Sequence, residues 1–234
     1  MRVRLRRLAR AGWFGTGLAG LAGVSFLAGG VFGRMERLLK QRREAGHMGP
    51  VREATPATLQ PGDALMFWNG DDRLVQTALE CAEHLNGRET DWRWLLLDGG
   101  TVLEVTAGHT IYYDKAEILY QGTAEFLRLV GDNDGLLRVF EARVRDGSNA
   151  LNPVYYDRGG ERWQVNSTGT FIARSSAGGA LSEVWRDITN NEADNVYVKF
   201  TGSQGGKALG VWTTHILLLS GQEIGSGDVR CYGQ

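Results

Sequence analysis

From residue 59 onward the apolar positions come in short runs separated by turn residues. Ala64-Leu65-Met66-Phe67-Trp68 is bounded by Pro61-Gly62 and by Asn69-Gly70, which predicts a strand ending in a tight turn. Trp92-Arg93-Trp94-Leu95-Leu96-Leu97 runs into Asp98-Gly99-Gly100 and is followed by Thr101-Val102-Leu103-Glu104-Val105. Two β-rich runs around such a turn predict a hairpin. Further short strands are expected over Phe140 to Val144, Val154 to Tyr156, Arg162 to Val165 and Thr170 to Ala173. Asn195 to Phe200 alternates polar and apolar residues and stops at a glycine-rich turn, Gly202 to Gly206; Trp212 to Leu219 reads as the last strand.

Two segments fit more than one period. In Leu74 to Leu85, Val75, Thr77, Leu79 and Cys81 alternate as in a strand, while Leu74, Ala78, Cys81, Ala82 and Leu85 form a helical face. The strand-rich neighbours favour a strand. Ala124 to Val130 reads equally as a helical turn or a strand. The expected fold is therefore all-β and antiparallel over residues 59–220, as two packed small β units of barrel or sandwich type. A weak internal echo divides it into residues 59–130 and 138–220. Each half carries a tryptophan segment, Asp91-Trp92-Arg93 and Val184-Trp185-Arg186-Asp187, followed by a glycine-rich hairpin. Residues 221–234 read as a flexible tail.

The N-terminus has a different pattern. Arg2, Arg4, Arg6, Arg7 and Arg10 precede an uncharged run from Ala11 to Gly33, and Arg34, Arg37, Lys40, Arg42 and Arg43 follow it. About 20 apolar residues suffice for a helix across a bilayer core. Trp13, Phe14, Leu18, Leu21, Phe26, Leu27 and Phe32 supply the apolar anchor, and residues 34–45 continue as a juxtamembrane helix. Residues 1–45 thus read as a membrane-anchoring segment, and 46–58, with Gly49-Pro50 and Pro56, as a linker. Gly15, Ala19 and Gly23 recur every four residues, a spacing that lets membrane helices approach closely, so a homo-oligomer through this helix is expected. Many interior glycines weaken the run, which leaves an interfacial segment and a cleaved targeting peptide as alternatives. The basic residues directly after the run resist translocation and favour a β domain that stays cytoplasmic.

A formal net charge of -1 over 234 residues excludes a general nucleic-acid binder, because phosphate binding needs a concentrated basic surface. The one basic cluster brackets an apolar run, an arrangement suited to anionic lipid. The two cysteines, Cys81 and Cys231, form neither a disulfide framework nor zinc-site spacing.

Candidate chemistry is sparse. Cys81 and His84, flanked by Glu80 and Glu83, would need His109 or His215 to complete a metal site, or an orienting group and an oxyanion hole to act as a nucleophile. They read instead as a small core thiol and a solvated histidine. Asp91, Asp98, Glu104 and Glu183 could supply an acid–base pair, but Asp98 belongs to a turn. Gly178-Gly179 and Gly205-Gly206 lack the Lys-Ser or Lys-Thr of a phosphate loop. Asn166-Ser167-Thr168 is a glycosylation acceptor only if exported. No metal and no cofactor is expected. Trp92 and Trp94, two apart on one sheet face, fill a core or form an interaction surface.

Several of these residues resemble a bacterial family, domain of unknown function 4178. The resemblance spans about Leu59 to Leu219 and rests on Leu59-Gln60-Pro61-Gly62-Asp63, the Trp92 to Leu97 hairpin, Arg162-Trp163-Gln164-Val165, Gly169, Trp185, Tyr197-Val198 and Gly210-Val211. It implies an all-β domain beside a membrane segment, in gene neighbourhoods of membrane stress and remodelling, with no catalytic residues to carry over. The functional expectation is a membrane-anchored, non-catalytic module contacting lipid and protein partners. An enzyme using Cys81, His84 or His109, and an exported β protein, are the alternatives.

Overall fold

The computed structural model describes residues 36, 37, 40, 44, 52–85, 87–130, 154–191, 194–225 and 227–233. The chain divides into two units, Met1–Gly46 and His47–Gln234. The anchor residues Trp13, Phe14, Leu18, Leu21, Phe26, Leu27 and Phe32, the packing residues Gly15, Ala19 and Gly23, and the expected strand at residues 140–144 lie outside the described residues. Among the described residues no helix is long and apolar enough to cross a membrane.

Among the described residues the second unit is one 12-stranded antiparallel sheet, of which eight strands close into a barrel. The barrel strands are β3 (Arg73–Leu85), β4 (Arg88–Leu97), β5 (Val102–Val105), β6 (Thr110–Leu119), β8 (Glu161–Gly178), β9 (Asn195–Gly202), β10 (Lys207–Trp212) and β11 (Ile216–Ile224). They form two four-strand meanders, β3 to β6 and β8 to β11. The first strands of the two meanders pair with each other, β3 with β8, and so do the last, β6 with β11. The two meanders are the two sides of one continuous wall. Closure explains why: each meander alone would leave two unpaired edges, and joining both pairs of edges removes them.

Four shorter strands extend the sheet. β1 (Arg52–Ala54), β12 (Val229–Gly233) and β2 (Ala64–Phe67) form a ribbon attached through β2 to the start of β3, and β7 (Tyr155–Arg158) borders β8. Residues 229–233, expected as tail, thus form the middle strand of the ribbon. Arg162 to Ala173, expected as two strands, belongs to the single strand β8, and the expected strand Trp212 to Leu219 is a hairpin turning at 213–215. The undecided segments resolve as the strand β3 and the helix α1 (Ala124–Val130). Val184-Trp185 is not a strand: it opens the helix α2 (Glu183–Asn190), with Glu183 in the first turn, where a carboxylate suits the positive end of the helix dipole.

Over much of the wall both faces are buried. Trp92, Trp94 and Leu96 point into the barrel with Leu79, Tyr113, Phe171, Leu209 and Leu219. Leu95 and Leu97 point outward into a second cluster with Leu65, Phe67 and Tyr112 under the ribbon. A third cluster packs Phe126 and Leu129 of α1 and Tyr156 of β7 on the outside of β9 to β11. Ile188 joins the inward cluster, with Val184 and Trp185 packed against it, so α2 stoppers the barrel end where β8 finishes and β9 begins. The fully buried Asn195 holds it there, donating from Nδ2 to the Ile188 carbonyl (2.9 Å) at the helix C-terminus.

β6 and β11 shift register at Ser220/Gly221: Lys115 pairs with Ser220 and Tyr113 with Gly221, so Asp114 is an inserted residue. The strands come so close that a Cβ at Gly221 would overlap the Tyr112 carbonyl. Gly221→Ala is therefore expected to lower unfolding free energy by about 1–3 kcal/mol, the usual cost of overpacking. Gly108→Ala, which enters open space, should change it by less than about 0.5 kcal/mol. Urea denaturation followed by tryptophan fluorescence measures both.

Candidate functional site

The strand geometry disposes of the first pairing suggested by the sequence. Residues three apart on a strand face opposite sides. Cys81 lies in the inward cluster, whereas His84 is exposed and sits 3.3 Å from Glu89. Burial, with Glu104 negative nearby, pushes the Cys81 thiol well up, so it supplies no thiolate at neutral pH. His109 lies 3.6 Å from Glu104, and His215 is beside Thr214 and the Tyr120 ring. Among the described residues no three His, Cys, Asp or Glu side chains gather as a metal site. Asp91 and Glu183 are exposed, and Asp98 accepts the Leu74 N–H at 2.8 Å, fastening the start of β3. Trp92 and Trp94 are 5% and 0% exposed. Their face turned out to be the lumen, so neither forms an outer interaction surface.

One of the sequence's carboxylates has a distinctive setting. Glu104 is fully buried on β5. It accepts the Lys199 ammonium at 2.7 Å on Oε1 and the Trp94 indole N–H at 3.0 Å on Oε2. β5 and β9 stand opposite each other in the closed strand order, so the Lys199–Glu104 pair spans the lumen. The ammonium also lies 5.4 Å from the Trp92 ring centroid and 5.7 Å from that of Tyr197, within reach of cation–π attraction. Beside it, the Tyr197 hydroxyl donates to the buried Glu83 carboxylate at 3.1 and 3.2 Å. Glu83 fits because residue 169 is glycine: a Cβ there would overlap Oε1. Sequence reading gave Glu83, Lys199 and Gly169 no such role. Their partners lie far along the chain, and only a lysine at an inward position of the alternating strand Asn195 to Phe200 hints at it.

Burial alone would raise the Glu104 carboxyl. The His109 contact and the Lys199 ammonium outweigh it, with Trp94 adding a donor, and hold it down at about 2. Burial and the Glu104 charge push the Tyr113 phenol well up. The lumen therefore holds a fixed, compensated charge pair packed by aromatics. The carboxylates, the ammonium and the Tyr197 hydroxyl are engaged with one another, which suits fixing the barrel wall, while the buried Trp92 indole N–H has no hydrogen-bond partner among the described residues.

The open surface is elsewhere. On the outer wall a groove of about 690 Å³ runs over the β6–β11 bulge, within the range of about 300–1,000 Å³ typical of ligand sites. The β2–β3 turn and Tyr112 border it on one side, and Trp163 of β8 with the β9–β10 turn on the other. Asp114 and Gly221 line it at the bulge, and Asp114 is exposed. No family model, curated protein or solved structure matches the chain.

The lumen pair has a testable pH signature. The depressed folded-state Glu104 value means that its stabilisation is present above pH ~4.5 and is lost as pH falls from there towards about 2. Linkage puts it at about 3 kcal/mol. Glu104→Gln should be less stable at neutral pH by a comparable amount, and its stability should fall less steeply below pH ~4.5. Denaturant titrations over pH ~2 to ~7 measure both slopes.

Proposed function

We propose that this chain is a non-catalytic docking module, held at a membrane by its N-terminal segment, that receives a partner protein in the outer groove of its barrel. The groove carries the reading. It is a cleft on the outer wall between the covering elements, and the β6–β11 bulge lies along it. The interior supports a scaffold role, since aromatic side chains and a compensated ion pair fill it. The tether rests on the sequence. An uncharged run of membrane-spanning length lies between basic flanks, and the cluster from Arg34 to Arg43 favours a cytoplasmic domain. The Gly15, Ala19 and Gly23 spacing supports self-association of that helix.

Expression in bacterial cells followed by alkaline carbonate extraction tests the tether. The full chain is expected in the membrane pellet, and a Leu21→Arg/Leu27→Arg variant in the soluble fraction, because charge at a helix centre opposes insertion. Wild-type protein in the carbonate supernatant would refute a spanning anchor.

A further inference from the structure

We infer that the groove takes a cationic segment of a partner protein, an extended stretch carrying more than one arginine or lysine; this rests on the docking reading above. The lining holds four carboxylates, Asp71, Asp114, Glu161 and Glu223, against two lysines, Lys115 and Lys207. Internal partners already hold several of them. Asp71 is bound by Arg73 and by the Tyr112 hydroxyl, and Glu223 lies 3.6 Å from Lys207. Glu161 accepts one backbone N–H, from Gln204 at 3.2 Å. Asp114 is exposed, and its carboxylate has no partner among the described residues. Lys115 is exposed beside Asp114 and likewise has no partner among the described residues, so two carboxylates, Asp114 and Glu161, remain against one ammonium, a net negative excess.

The form of the ligand follows from where these groups sit. The carboxylates come from four separate places in the chain, the β2–β3 turn, β6, β8 and β11. A single amine meets one or two such groups, whereas an extended segment can place successive cations against several. The partly exposed Trp163 lines the same groove, and a guanidinium can stack on such a ring while pairing with a carboxylate.

The test uses the full-length protein in neutral detergent micelles and short fluorescein-labelled peptides of alternating arginine and alanine, or glutamine and alanine, read by fluorescence anisotropy. The arginine peptide should bind, and its affinity should fall between about 50 and about 500 mM salt. Asp114→Asn with Glu161→Gln should weaken it about tenfold, the scale of two partly exposed charge contacts. Lys115→Glu should tighten it about threefold, a gain that a misfolded variant cannot produce. Gln222→Trp, which fills the groove, should abolish binding. Equal affinity for both peptides, with binding still blocked by Gln222→Trp, would overturn the cationic specificity and leave the docking reading standing. Charge variants that bind the arginine peptide like wild type would overturn the specificity as well. Failure of every peptide to bind would overturn both.

Discussion

A carboxylate placed where water cannot reach it must be satisfied by the protein, and Glu104 imposes that condition on the barrel. An unpaired buried charge costs several kcal/mol. Lys199 must therefore arrive from the opposite wall, and Trp94 must turn its indole N–H towards β5. These demands fix the relative height of β4, β5 and β9. A slip of one residue on β9 would send Lys199 outward and bring Val198 or Phe200 in. Hydrophobic packing alone would not discriminate so sharply, because β9 carries apolar residues on both faces. The ion pair adds a registration that the apolar clusters lack, and the Tyr197–Glu83 contact does the same between β9 and β3.

Burial on both faces also accounts for the outer elements. A barrel with a wet exterior would need alternating polar positions, but Leu95, Leu97, Leu103 and Tyr112 face outward on one side and Phe200, Ile216 and Leu218 on the other. Two separate covers meet this need: the β1–β12–β2 ribbon on the first and α1 with β7 on the second. The wall between them is where the bulge sits. There the outward residues are polar, Lys115, Ser220 and Gln222, and no third cover is required. The groove is the gap between two covers, and its floor can carry charge because it was never an apolar surface.

Much of the fold was legible in the sequence because it is local. The Leu95-Leu96-Leu97 run with its following turn marked a strand and hairpin, and its continuous apolar character is that of a strand buried on both faces. Leu74 to Leu85 was ambiguous because alternation and a helical face coexist in it; closure of the barrel on both of its edges decides for a strand. The helix α2 was hidden because Val184 and Trp185 favour strands locally, while its fixing point, Asn195, lies beyond its end and binds a backbone carbonyl. Residues 229–233 look like a tail because a short strand whose neighbours lie about 165 and 180 positions earlier in the chain leaves no local signature. The sites were less legible still. Glu104 was noticed as one carboxylate among four, but its significance comes from partners 10 and 95 residues away.

The two meanders share a topology but not a division of labour. In the first, the inward positions carry the acids, Glu83 on β3 and Glu104 on β5; in the second, β9 carries the lysine and the tyrosine that meet them. Two copies of one meander would set like charges against each other across the lumen, and each would stay uncompensated at a cost that packing does not recover. Lys199 of the second meander is the counter-ion of Glu104 in the first, and Tyr197 supplies a hydroxyl donor to Glu83. The half-barrel is then not a stable unit by itself: its edges are open and its charges are unpaired. Closure therefore satisfies hydrogen bonding and electrostatics in the same step, which is why the internal echo in the sequence resolves into one barrel instead of two packed units.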